Sequence, residues 1–297
     1  MPATLAHGVW GILATPFGDD LGIDEGSLER LVDLYRQAGA AGVVALGVLG
    51  EAARLDSNER RRVVERVAAG GLPVVAGVSA LATAPAVEEA VQAAEAGASA
   101  VMVLVSTSDA DTLAAHLAAV SQACGTSIVV QDHPATTNVS IGAEALSRAV
   151  DVSCVAAAVK EEAPPTAPAV ARLVARVQVP VFGGLGGVNL LDELAAGSSG
   201  AMTGFAVPEA LVATVHAFAQ RGYDAAREAY VPWLPLVLFE AQQPGGVALR
   251  KEILRRRGVI ATARVRAPGL PFPRELDAVL DAHLAAVDLP MTAGART

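Results

Sequence analysis

The amino-acid sequence predicts an α/β fold, a closed (β/α)₈ TIM barrel with additional C-terminal helices. Short apolar runs rich in β-branched residues alternate with longer amphipathic stretches, and eight such runs occur in the first 205 residues of the chain. A chain of 297 residues with 53% hydrophobic residues is also long and apolar enough to fill such a core. Eight alternating units favour a closed parallel barrel over an open sheet.

The predicted strands follow one another at regular spacing. They occupy residues 8–15, 42–47, 73–79, 100–106, 127–133, 155–161, 180–186 and 200–205. Many of the helical stretches between them open at Asp, Ser or Thr and end at Gly, which are the residues preferred at helix starts and ends. Helical patterns of this kind occupy residues 24–39, 57–71, 83–97 and 164–177.

The strand period ends after Gly222, and the remaining sequence reads as helices. Pro232 and Pro235 should interrupt the first of these helices, whose apolar side chains we expect to pack against the barrel or another subunit. We therefore divide the chain into a barrel at residues 1–222 and a helical layer at residues 223–297. The three predicted helices lie at 224–242, 247–258 and 274–288.

Composition argues against several classes of protein. The formal net charge of -9 argues against a nucleic-acid partner. No apolar run approaches the roughly 20 residues that span a bilayer, and the first residues lack a secretory pattern, so we expect a cytoplasmic protein without a membrane partner. Cys124 and Cys154 are the two cysteines, and their spacing supports neither a metal site nor a disulfide framework. The basic segment from Arg250 to Arg257 is interpreted as a solvated helix face.

Lysine usage singles out one residue. Only Lys160 and Lys251 are lysines among the 22 lysine and arginine residues, and Lys160 ends an apolar strand. Loss of hydration disfavours an ammonium ion and gives the free amine that attacks a ketone to form an imine. The position alone leaves two interpretations open, an inward nucleophile or a lysine paired with Glu161 or Glu162 at the rim. Lys251 lies among arginines in a helix, where we predict a surface or interface residue.

Other polar residues follow the strands, where barrel enzymes place their active sites. His133 either transfers protons near neutral pH or caps a loop. Gln131 and Asp132 are expected to form hydrogen bonds in the pocket. The glycine-rich run at 183–187 suits close backbone approach better than phosphate binding, because no nearby lysine or arginine would balance a phosphate. Glu51 is predicted to anchor its loop.

Several short motifs occupy fixed places along the barrel. They are Ala14-Thr15-Pro16-Phe17, Gly47-x-x-Gly50-Glu51, Asn58-Glu59-Arg60, Ala76-Gly77-Val78, Pro134 and Lys160-Glu161. In order and spacing the chain resembles the dihydrodipicolinate synthase and N-acetylneuraminate lyase family of class I aldolases over nearly its whole length.

The resemblance implies an activity and a site. It implies that Lys160 forms an imine with pyruvate or another small 2-oxo acid, with no metal and no cofactor. It also implies that the loop at Val48 and Leu49 holds the substrate carboxylate, that Gly184 and Met202 lie near the imine, and that the protein is a homodimer or homotetramer.

Three departures from the family pattern change the expected substrate. Val48 and Leu49 stand where the family usually has two threonines. The side-chain hydroxyls are therefore lost, while the backbone donors remain. One pocket wall becomes apolar, which favours a less polar substrate tail. Gln131 replaces the tyrosine of Tyr-Asn-x-Pro, and an amide cannot act as an acid or base. Thr136 replaces the arginine that binds a second carboxylate in the lysine-pathway enzyme. We therefore expect a substrate other than that of dihydrodipicolinate synthesis.

The resulting hypothesis is a Schiff-base lyase, an aldolase or dehydratase acting on pyruvate or a 2-oxo acid such as a 2-keto-3-deoxy sugar acid. An alternative is a degenerate barrel that binds a keto acid as a sensor or partner subunit. The lost tyrosine and both lost threonines favour this alternative, and the retained lysine opposes it. A phosphate-binding isomerase rests on the glycine run alone. The candidate catalytic residues are Lys160, His133, Gln131 and Glu161, and the candidate substrate-binding residues are Val48, Leu49, Asp132, Thr136, Gly184 and Met202.

Overall fold

Eight parallel strands close into a barrel in the computed structural model, which describes residues 3–287 and 289. Each strand pairs with the next along the chain, and the last pairs with the first. The predicted barrel is confirmed, and each predicted strand is present with shorter bounds, because the predictions extended one to three residues into the adjoining loops. The strands are β1 (Gly8–Ile12), β2 (Gly42–Ala45), β3 (Val74–Val78), β4 (Ala100–Leu104), β5 (Ser127–Asp132), β6 (Ala156–Glu161), β7 (Val181–Gly183) and β8 (Gly200–Thr203).

Two buried clusters divide the side chains of the strands. One cluster draws residues from all eight strands, among them Trp10, Met102, Ala158 and Phe182, and fills the barrel interior. The other joins the outward-facing strand residues to the surrounding helices. Because successive side chains of a strand face opposite sides, this division also fixes which residues at the strand ends face the barrel mouth.

The surrounding helices begin and end where local sequence favours it. Asp24, Asp56 and Asp109 each accept a hydrogen bond from a backbone N–H in the first turn of a helix, and Gly39 and Gly125 end helices in the left-handed conformation. None of the helices in the described part of the chain is long and apolar enough to cross a membrane. The helices from α1 to α9 are α1 (Glu25–Ala38), α2 (Ser57–Ala68), α3 (Thr83–Glu95), α4 (Ala110–Cys124), α5 (Pro134–Thr137), α6 (Ala143–Ser153), α7 (Thr166–Val174), α8 (Leu190–Ala195) and α9 (Pro208–Arg221).

Further helices follow the barrel. A 3₁₀ turn containing Pro232 separates the first two of them, so the predicted interruption is confirmed. Leu236 and Phe239 are buried in the outer core cluster, where they pack with barrel residues. The domain boundary at residue 222 stays a prediction. These helices are α10 (Tyr223–Tyr230), α11 (Leu234–Glu240), α12 (Gly246–Arg256) and α13 (Asp277–Ala285).

The basic segment of α12 is not a solvated face, and this interpretation was wrong. Arg250, Lys251 and Arg257 are buried. Lys251 donates hydrogen bonds to Glu51 and, at 2.8 Å, to the carbonyl of Arg264, so the surface role predicted for it was wrong as well. The helical pattern could not show this burial, because the carboxylate that offsets the lysine charge comes from a loop 200 residues earlier in the chain.

Candidate active site

A cavity of about 570 Å³ lies at the carboxyl-terminal ends of the strands. The loops after β2, β5, β6 and β7 contribute to its wall, together with residues of α11 and α12. This end of the barrel is where enzymes of this fold bind their substrates, because the loops there vary without disturbing the strands. The cavity is therefore the candidate active site.

Lys160 faces this cavity from the penultimate position of β6. Ala158, two residues earlier, belongs to the interior cluster, so strand alternation turns Lys160 to the same side. The lysine pairs in register with Gln131 on β5, and its side chain is only 6% exposed. Of the two orientations that the sequence left open, the structure has the inward one, and it combines this orientation with an ion pair.

Glu162 is the partner in that ion pair. Its Oε2 atom lies 3.0 Å from Lys160 Nζ and accepts a hydrogen bond of 2.7 Å from the amide of Gln131. Its Oε1 atom accepts a hydrogen bond of 3.0 Å from the backbone N–H of Leu185. Burial alone would raise the pKa of Glu162, but the charges of Lys160 and His133 together with these hydrogen bonds hold the pKa below its usual value. The carboxylate form is thus stabilised beside the lysine.

Gln131 and His133 both line the cavity, at the end of β5 and directly after it. The Gln131 amide orients the carboxylate of Glu162. His133 is the residue before α5, but its side chain makes no capping hydrogen bond with that helix, and its Nδ1 atom is buried without a hydrogen-bond partner in the described part of the chain. The geometry therefore favours a cavity-facing histidine over the loop-capping alternative.

Asp132 and Glu161 face away from the cavity. They pair with each other in the register of β5 and β6, and both side chains are buried behind the barrel wall. Burial and the charge of Glu162 raise the pKa of Asp132 to about 6, and burial and the charge of Asp132 raise the pKa of Glu161 to about 8. The expected roles of Asp132 in substrate binding and Glu161 in catalysis do not fit this geometry, because neighbours of inward-facing residues on a strand point outward.

The loop after β2 places Val48 and Leu49 on the cavity wall. They open a 3₁₀ turn, and the first N–H groups of such a turn have no acceptor within it. Glu51, which follows, is buried and accepts hydrogen bonds from Lys251 and from the backbone N–H of Arg266 at 3.1 Å. It holds the loop in place through residues far along the chain, in the anchoring role that the sequence suggested.

Thr136 lines the cavity, whereas Gly184 and Met202 do not. Gly184 packs against Glu162, and a Cβ atom there would lie 2.1 Å from Glu162 Oε1, so a side chain at this position would displace the carboxylate. Met202 is fully buried in the interior cluster of the barrel. Both residues therefore support the site without bordering the cavity.

A second buried ion pair, Glu240 with Arg250, lines the cavity from α11 and α12. Arg250 donates a hydrogen bond from Nε to Glu240 and another, with a length of 2.5 Å, from Nη2 to the carbonyl of Gly204. The second oxygen of Glu240 accepts a hydrogen bond of 2.9 Å from the N–H of Ala206. Burial raises the pKa of Glu240, and the guanidinium of Arg250 opposes that rise.

The sequence reasoning missed three site residues, and the reasons differ. Glu162 was considered only as a rim partner of Lys160, since strand alternation cannot be extended past the strand end at Glu161. Glu240 and Arg250 belong to helices after the barrel, and no local pattern shows that these helices reach the barrel mouth.

The arrangement places an amine, an ionised carboxylate paired with it and further polar groups within one cavity. An amine in a site that is largely shielded from water becomes a nucleophile once its proton is removed. No group of three or more His, Cys, Asp or Glu residues suited to a metal ion occurs within residues 3–287 and 289.

Comparison with known proteins gives a consistent result. The sequence model of the "Dihydrodipicolinate synthetase family" matches residues 5–287. An L-2-keto-3-deoxyarabonate dehydratase of Azospirillum brasilense is 30% identical over 275 residues, which cover 88% of each chain. A 4-hydroxy-tetrahydrodipicolinate synthase of Methanothrix thermoacetophila is 31% identical over 284 residues, which cover 92% of this chain and 94% of the relative.

The fold comparison agrees. The crystal structure of a dihydrodipicolinate synthase from Rhodopseudomonas palustris superposes with a TM-score of 0.90 at 30% identity, covering 97% of this chain and 100% of that one. This chain thus shares its fold with a dihydrodipicolinate synthase, and its sequence relatives have different named activities.

Proposed function

The chain belongs to the dihydrodipicolinate synthetase family and is a lyase, and from this we propose that it forms an imine between Lys160 and a small 2-oxo acid such as a 2-keto-3-deoxy sugar acid. The observation that carries the proposal is the buried Lys160 amine, which lines the cavity 3.0 Å from the Glu162 carboxylate. Lysine amines become nucleophiles when a neighbouring group removes their proton.

The first step uses the pair directly. Glu162 accepts a proton from the Lys160 ammonium as the Nζ atom bonds to C2 of the 2-oxo acid. The carbonyl oxygen takes one further proton from Nζ and the proton returned by Glu162, and it leaves as water, which gives the iminium. Gln131 and the N–H of Leu185 hold Glu162 in place throughout this step. Gln131 therefore positions the proton acceptor, and the carboxylate of Glu162 acts as the acid and base in this step.

The iminium withdraws electrons from C3. In a dehydratase, a base then removes the proton at C3, and the hydroxyl at C4 leaves with a proton as water. In an aldolase, the C4 hydroxyl instead loses its proton and the C3–C4 bond breaks. Hydrolysis of the last imine returns Lys160. His133, which also lines the cavity, is proposed to move a proton in the second step.

The substrate carboxylate is proposed to accept hydrogen bonds from the N–H groups of Val48 and Leu49. These groups open the 3₁₀ turn at the cavity wall and need an acceptor from outside the turn. Thr136, which also lines the cavity, is proposed as a further polar contact.

Borohydride trapping tests the proposal. Reduction in the presence of pyruvate should convert the imine into a stable amine on Lys160, seen as one added group in the intact mass. Product analysis with a 2-keto-3-deoxy sugar acid then separates dehydration from cleavage, since water loss and aldehyde release give different products.

We also propose that the protein is a homodimer or homotetramer. Val231 and Leu238 are exposed apolar side chains near one another in sequence on the C-terminal helices, where a second copy could cover them. Light scattering over a range of concentrations tests this, and a monomer at every concentration would contradict it. The cytoplasmic location stays a prediction.

A further inference from the structure

The cavity is larger than the reacting end of a 2-oxo acid requires. Its volume of about 570 Å³ falls in the range of pockets that hold ligands well beyond three carbons in size. The groups that handle the imine come from β5 and β6, so other residues on the wall remain for the rest of the substrate.

The Glu240–Arg250 pair is buried at the cavity wall and has an unused donor. Both side chains are at least 95% buried, with 2% and 5% exposure, and both residues line the cavity. The Nη1 atom of Arg250 is buried without a hydrogen-bond partner in the described part of the chain. An unsatisfied guanidinium N–H costs free energy, and a ligand oxygen would remove that cost.

Gly204 leaves space for this guanidinium. A Cβ atom at that position would lie 2.1 Å from Arg250 Nη1, so the backbone at the end of β8 is compatible with the arginine only as glycine. The position of Arg250 is thus fixed by Glu240 on one side and by the carbonyl and the missing side chain of Gly204 on the other. A fixed donor confers selectivity at lower entropic cost than a mobile one.

The charges of the pair indicate which ligand groups it suits. Glu240 offsets the charge of Arg250, so a second carboxylate would meet a neutral pair and face the Glu240 oxygens. A hydroxyl group both donates and accepts, and can therefore accept from the guanidinium and donate to the carboxylate. An alkyl tail would leave both groups unsatisfied.

We propose that Glu240 and Arg250 bind hydroxyl groups on the tail of a 2-oxo acid whose carbonyl reacts with Lys160. This inference rests on the proposed function for the reacting end and assigns the recognition of the tail to the C-terminal helices. It also limits the effect of the apolar wall at Val48 and Leu49, since the pair presents a polar surface to the same cavity.

Three five-carbon acids test the inference on the unaltered protein. They are 4,5-dihydroxy-2-oxopentanoate, 2-oxopentanoate and 2-oxoglutarate, which differ in a hydroxylated, an alkyl and a carboxylate tail. We expect borohydride labelling to be half-saturated by the dihydroxy acid at a concentration at least about tenfold lower than by either of the others. Equal or better labelling by the alkyl acid, or by 2-oxoglutarate, overturns the inference while leaving the imine intact. Absence of labelling by all three and by pyruvate overturns the proposed function and this inference with it.

The double variant Glu240→Gln with Arg250→Gln assigns the effect to the pair. Both residues are changed together because a single substitution leaves an uncompensated buried charge. We expect the preference for the dihydroxy acid over 2-oxopentanoate to fall about tenfold. Arg257→Gln is the matched control, since Arg257 is a buried arginine just beyond α12 that does not line the cavity, and it should keep the preference. A double variant that retains the full preference overturns the inference, and if that variant does not fold, the comparison of the three acids decides.

Discussion

Lys160 Nζ lies 3.0 Å from Glu162 Oε2, and one residue, Glu161 at the end of β6, separates the two in sequence. Glu162 directly follows the last residue of β6, and in the structure its side chain lies on the same side as that of Lys160, at the mouth of the barrel. The intervening Glu161 points to the opposite side, so three consecutive residues place an amine and one carboxylate in the cavity and a second carboxylate behind its wall.

Replacement of Lys160 by arginine should abolish imine formation. A guanidinium stays protonated and cannot attack a carbonyl, while its charge still offsets Glu162. With pyruvate and borohydride the unaltered protein should gain one pyruvyl group per chain, and the variant none, by intact mass spectrometry. Lys251 is the other lysine of the sequence, so peptide mapping assigns the label without ambiguity. Unchanged labelling in the variant would end the Schiff-base hypothesis.

Glu162→Gln should reduce kcat by roughly 10²–10⁴-fold, because an amide cannot take the proton of the Lys160 ammonium. Steady-state rates on the substrate that best labels the protein provide the measurement. Glu161→Gln is the matched control, since it changes the neighbouring carboxyl on the other face of the strand and should retain most of the activity. The opposite ranking of the two variants would return Glu161 to the mechanism.

His133→Asn should affect turnover more than imine trapping. If the histidine moves a proton after the imine has formed, kcat falls by roughly 10²–10⁴-fold while pyruvate still labels Lys160. Parallel trapping and product assays distinguish the two steps. Full turnover by this variant would remove His133 from the mechanism and leave Glu162 or a bound water as the proton carrier.

Glu161→Gln should also change how stability depends on pH. Folding raises the pKa of Glu161 from 4.5 to about 8, so the folded state binds a proton that the unfolded state has lost between these values. The stability contributed by this group is present below pH 4.5 and is lost as the pH rises toward 8. The variant lacks this loss. Between pH 5 and pH 8, its unfolding free energy should therefore rise by about 1–3 kcal/mol relative to that of the unaltered protein.

Urea denaturation at the two pH values measures the effect in both proteins. The carbonyl of the glutamine can still accept the hydrogen bond that Glu161 accepts from the N–H of Ala163 at 2.7 Å, so a general loss of structure is not expected. Parallel pH dependence in the two proteins would show that Glu161 ionises alike in the folded and unfolded states.

The sequence by itself determined the barrel and the position of Lys160 at the end of its sixth strand. The alternation of short apolar runs with capped amphipathic helices is a local property that each segment carries, and it was sufficient to predict eight strands in order. The same reasoning predicted that Lys160 and Gln131 end neighbouring strands, because consecutive strands of such a barrel lie side by side.

Only the tertiary structure decided which groups meet. Lys251 follows Arg250 in one basic helix, yet Lys251 is buried against a loop of the second βα unit and Arg250 pairs with Glu240 at the cavity. Asp132 was expected in the pocket but lies behind the barrel wall, and of the two possible carboxylate partners of Lys160 the structure has Glu162, because a step of one residue at a strand end moves a side chain from one face of the barrel wall to the other. Local periodicity specifies the elements, whereas the direction of side chains beyond the strand ends and the contacts of distant helices depend on how the whole chain packs.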